Sequence, residues 1–185
     1  MRTRFLLLSI LALPACSDDP VSYSAPVGIS LNAKSGDVAN GTITDEKNIN
    51  TESGNPYGAY ISEARAELGG DPGEITLDET TLEIVDATGV TTLGEIFAGD
   101  VEISFVMNSS NTAYDAAVLG VTADTGAGPV EAHSHFDDAT VTDEDWPDFV
   151  GGSFKVVLTG PAADGFAAAN ADANLQATFT FSAYE

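Results

Sequence analysis

The only two histidines of this 185-residue chain, His133 and His135, stand two positions apart in the run Glu131-Ala132-His133-Ser134-His135-Phe136-Asp137-Asp138. If the run is extended, alternate side chains point the same way at a spacing of about 6.6 Å. Glu131, His133, His135 and Asp137 then share one polar face, opposite Val130, Ala132, Ser134 and Phe136. Two imidazoles and a carboxylate so placed are the donor types of a zinc site, and an open fourth position would allow metal-assisted hydrolysis. The competing reading is a strand whose even positions face the core and whose histidines meet solvent.

A second locus follows directly. Asp143-Glu144-Asp145-Trp146-Pro147-Asp148-Phe149 holds the single tryptophan of the chain among four acids. Asp143, Asp145 and Asp148 offer the hard oxygen donors that calcium takes, and Trp146 an aromatic platform for a sugar or a peptide. A calcium loop of the EF type needs a central glycine and a closing bidentate glutamate, and this run has neither. In the simpler reading Trp146 and Phe149 tuck under a sheet edge and the acids face water. Zinc at the histidines or calcium at the acids would make the protein a metal-dependent adhesion or carbohydrate-binding module.

Nucleophilic catalysis finds little footing. There is no Gly-x-Ser-x-Gly elbow, and a serine triad would have to recruit His133 or His135. Carboxylate pairs are unavoidable among 29 acids, so they carry no information about glycoside hydrolysis. The chain is expected not to be an enzyme, with a metal-assisted hydrolase at the histidines as the enzymatic alternative.

Six Lys and Arg against 29 Asp and Glu give a formal net charge of −23. Nucleic-acid binding draws its affinity from cations that displace counterions from phosphate, and so few scattered cations exclude it. The same shortage leaves little to clamp a transferring phosphoryl group.

Arg2 and Arg4 precede a mostly apolar run from Phe5 to Leu13. That is the charged start and h-region of an export signal, too short for a permanent bilayer span of about 20 residues. The stretch Leu13-Pro14-Ala15-Cys16 resembles the lipobox of bacterial lipoproteins, with Leu13, Ala15 and Cys16 on its pattern, and the only cysteine of the chain at the lipidation position. The resemblance covers the signal alone. It implies a signal peptide over 1–15 and a lipid on Cys16; the polar, proline-containing run over 16–26 reads as a tether, and 27–185 is long enough for a single domain. The resemblance also implies a place in the bacterial cell envelope, with the membrane as one partner and an envelope protein or glycan as another. Ser17, rather than an aspartate, follows the cysteine and leans toward the outer membrane, with the periplasmic or surface face open. Loss of Arg2 and Arg4 would leave Lys34, Lys47, Arg65 and Lys155 against all 29 acids. Such a surface repels itself unless salt screens it.

The elements that must position these residues read as mainly β. Val101, Ile103, Phe105 and Met107 alternate with polar residues, as do Leu175, Ala177, Phe179, Phe181 and Ala183. Shorter alternating runs surround Ile29, Ile43, Ile75, Leu82, Leu119, Ala132 and Val156, with glycine-rich turns between them. Many short strands so punctuated predict an antiparallel β-sandwich, immunoglobulin-like in general architecture. One segment has helical spacing: Asn55 suits an N-cap, Pro56 the first turn and Gly69 the residue after the end, with Tyr57, Ile61, Ala64 and Leu68 on one face. A single short helix is expected there. The segment over 160–174 is long for a connection between strands and reads as either a functional loop or a local helix.

Overall fold

The computed structural model describes residues 21–50 and 54–185. Cys16 and the segment read as a signal peptide lie outside the described residues. Alternating apolar positions build eight strands: β1 (Ser22–Lys34), β2 (Thr42–Ile49), β3 (Glu74–Thr88), β4 (Val101–Met107), β5 (Ala113–Leu119), β6 (Val130–Ser134), β7 (Phe154–Pro161) and β8 (Asp172–Tyr184). They form one sheet in the order β1-β8-β3-β6-β5-β4-β7-β2, every neighbouring pair antiparallel.

The sheet is barrel-like, in place of the expected two-sheet sandwich. Short β6 makes the difference. Val130, Glu131 and Ala132 pair with β3, whereas His133 and Ser134 pair with β5, so five residues splice what would otherwise be two separate sheets. On the far side the two edge strands meet without a backbone ladder. There Asp45 Oδ2 on β2 accepts a hydrogen bond from the Asn32 N–H on β1 at 2.8 Å, which occupies an edge donor and blunts strand-to-strand aggregation.

Helix α1 (Pro56–Leu68) forms where its caps predict. Asn55 accepts from the Tyr57 N–H at 3.0 Å, and Gly69 ends the helix in the left-handed region at φ 77°. Its buried face of Tyr57, Tyr60, Ile61, Ala64 and Leu68 packs beside β1, where the Tyr60 ring meets that of Tyr23 at 5.8 Å. Two further short helices, α2 (Leu93–Ile96) and α3 (Trp146–Gly151), correct the expectation of only one. Neither has room for the apolar periodicity that announces a helix.

Other boundaries also move. β1 begins at Ser22, inside the stretch read as tether. Ile75 and Leu82 belong to one strand, because a bulge at Asp78 lets both Leu77 and Thr80 face inward. Asp78 is pinned there by the hydroxyls of Thr76 and Ser182. The segment over 160–174 holds the end of β7 and the start of β8, joined by a turn-rich connection with a 3₁₀ turn (Phe166–Ala168) anchored by buried Phe166.

The buried side chains form one continuous cluster. At its centre Phe105 meets the rings of Phe136, Phe154, Phe179, Phe149 and Phe181 at centroid distances of 5.3 to 6.0 Å, in the edge-on and tilted arrangements that aromatic quadrupoles favour. The gap left among Val27, Tyr57, Phe105 and Phe179 admits no water molecule. This barrel is packed with side chains, as small barrels are, and leaves its surface to meet ligands.

Candidate functional site

The strand carrying the histidines has the expected polarity. Ala132 is buried and Phe136 packs on Phe105 and Phe149, while Glu131, His133 and His135 are exposed on the outer face. The two imidazoles stand edge to face with centroids 5.1 Å apart. Among the described residues no three His, Cys, Asp or Glu side chains converge closely enough to hold a metal ion.

Asp137 leaves that strand and joins the second locus. Past β6 the chain turns into a 3₁₀ turn (Asp138–Thr140), which Asp137 caps by accepting from the Ala139 N–H at 3.0 Å. Asp138 reaches the start of β3, its Oδ2 accepting from the Ile75 N–H at 3.1 Å. α3 then sets the Trp146 indole against Phe149, with ring centroids 6.0 Å apart. The result is an open groove of ≈ 640 Å³ lined by Glu74, Asp137, Asp138, Asp143, Val141 and Trp146 among others. It combines four carboxylates with one indole. Sequence spacing offered no sign of Glu74, which is more than 60 positions from Asp137; the Asp138–Ile75 bond is what brings its strand end alongside.

Asp145 and Asp148 do not line this groove. Asp145 is buried, only 2% exposed, and its Oδ2 accepts from the Tyr114 hydroxyl at 2.7 Å. That hydroxyl first, then those of Ser110, Thr112 and Thr142, hold the Asp145 carboxyl below the ordinary aspartate range, while burial works the other way. Among the described residues its Oδ1 has no partner in hydrogen-bond geometry. Asp148 accepts from the Ser109 N–H at 3.2 Å in the first turn of α3. Asp145 ties the turn before α3 to β5 and Asp148 ties α3 to the loop between β4 and β5, so the structure places both expected binding residues in contacts that hold the fold together.

A second open groove, of ≈ 680 Å³, lies toward the other end of the barrel between Gly89, Gly94, Ala123, Ala163 and Phe166. Glu95 on its wall is already engaged: it closes a capping box with Thr92 and accepts from the Thr91 N–H at 2.7 Å, which lowers its pKa. The chain matches no family model, no curated protein and no solved structure.

Proposed function

We propose that this chain is a lipid-anchored bacterial envelope protein, placed in the outer membrane, whose packed barrel is a rigid non-enzymatic binding module with the groove at Trp146 as its contact surface. The anchor rests on the lipobox at Leu13, Ala15 and Cys16. The observation that carries the binding reading is that Glu74, Asp137, Asp138 and Asp143 line one open groove together with an indole. Carboxylates flanking an aromatic face suit a cationic group, which gains Coulomb attraction and the negative face of the ring together. The outward, solvated histidines favour this reading over a zinc module or a metal-assisted hydrolase, since water-exposed imidazoles lack the enclosed pocket that catalysis needs.

Trp146 is the only tryptophan, so its emission reports the groove directly. Titration of the purified full chain with an oligolysine peptide should shift that emission saturably. The Asp137→Asn/Asp143→Asn variant should weaken binding about tenfold, a step of about 1.4 kcal/mol. A control that removes two carboxylates elsewhere, Asp86→Asn/Glu102→Gln, should leave binding within about twofold, since charges beyond a Debye length are largely screened. Equal losses in both variants would reduce the interaction to the overall negative field and remove the groove from the proposal.

A further inference from the structure

The groove lies at the end of the barrel where the anchor enters. Ser22 opens β1 and pairs with Tyr184, which pairs in turn with Glu74, so Ser22 and the groove wall are two strand spacings apart, about 10 Å. Val21, just ahead of β1, is one of two large apolar side chains left exposed among the described residues, at 44%.

Reach then limits orientation. Six residue steps separate Cys16 from Ser22, and a fully extended chain covers at most about 22 Å over them. β8 runs 12 steps from Asp172 to Tyr184, about 40 Å along the strand, or about 30 Å of height at the tilt usual in barrels. With the Asp172 end against the bilayer, Ser22 would stand farther from the surface than the tether reaches. Resting on the lipid anchor at Cys16, we infer that the end of the barrel carrying Ser22, Glu74 and Tyr184 faces the bilayer, and that the occupant of the Trp146 groove is the headgroup layer of that membrane. The groove at Gly94 and Phe166 then points away from it. An indole suits the interface, where one side is apolar and the other wet. The four carboxylates meet the ammonium groups of phosphatidylethanolamine, and anionic headgroups are disfavoured beside them.

The full chain, produced in a bacterium and reconstituted in vesicles of phosphatidylethanolamine and phosphatidylglycerol with a dansyl-labelled headgroup, tests this by energy transfer from tryptophan. The intact mass is measured first. An unmodified Cys16 would overturn the anchor and, with it, the orientation. With the lipid confirmed, transfer from Trp146 should exceed several-fold that from the Trp146→Phe/Ala169→Trp variant, whose indole sits in the far groove on an exposed loop. Inserting a long Gly-Ser spacer after Ser17 should reduce the difference to what contact between the groove and the headgroups sustains by itself, because the reach limit disappears. Equal transfer from the two positions in the native-length chain would mark a barrel lying on its side, and stronger transfer from position 169 an inverted one. Either result, in lipidated protein, sinks the orientation while leaving the anchor standing.

Discussion

The Tyr114 hydroxyl donates to Asp145 Oδ2 at 2.7 Å and itself accepts from the Thr142 N–H at 3.3 Å, so one phenol on β5 holds both ends of the turn that leads into α3. A carboxylate kept charged in this way has a folded-state pKa below its unfolded value of about 3.9. Its contribution to stability is therefore complete above the unfolded value and lost as pH falls toward the lowered folded value. Tyr114→Phe removes the leading cause of that shift. The variant should unfold at a higher pH than wild type on the acid side, and the gap in melting temperature should narrow as pH drops below about 3.9, where the unfolded aspartate takes up a proton that the folded one does not. Circular-dichroism melts between neutral pH and acid read both effects.

The histidine pair is exposed and outside the groove. His133→Ala/His135→Ala should change stability by less than about 0.5 kcal/mol, as surface substitutions do. Zinc added to chelator-treated wild type should move the melting temperature no further than matched ionic strength does. A saturable zinc shift that the double variant loses would restore a metal site on β6.

Stability should concentrate where the rings meet and where α1 begins. Phe105, fully buried among five aromatic rings, should cost about 3–5 kcal/mol on conversion to alanine. Asn55→Ala removes the α1 cap and should cost about 1 kcal/mol, whereas Asn55→Asp should retain most of it. Urea unfolding of the three variants orders them. A Phe105→Ala loss no larger than that of Asn55→Ala would contradict the single packed core.

Much of the fold was legible because it depends on near neighbours. The period-two runs at Val101–Met107 and around Phe179 are strands, and Asn55, Pro56 and Gly69 mark α1 to the residue, since a cap needs only the few peptide groups beside it. Ala132 and Phe136 face inward against outward Glu131, His133 and His135, as alternation requires. Alternation is silent about partners. Nothing in β6 announces that Val130 to Ala132 pair with β3 while His133 and Ser134 pair with β5, and that division turns an expected sandwich into a nearly closed barrel. The bulge at Asp78 was hidden for a related reason: an extra residue breaks the period that identifies a strand, so β3 read as two.

The candidate site shows the same division. The residue types came from the sequence: acids near the single tryptophan, two histidines on a polar face, one cysteine behind an apolar run, and a strongly negative net charge. Residue types, the apolar run before Cys16 and the net charge of −23 are properties of composition and local spacing; what they say about export and partners stays with the proposal. Which acids meet one another was decided by tertiary structure, because it depends on contacts between segments far apart in the chain. The Asp138–Ile75 bond draws Glu74 beside Asp137 and Asp143, Tyr114 takes Asp145 into the interior, and Asp148 is spent on Ser109. Carboxylates that look alike in the chain thus become a groove wall, a buried anchor and a helix-turn tie, according to which distant backbone or hydroxyl group desolvates or satisfies each one.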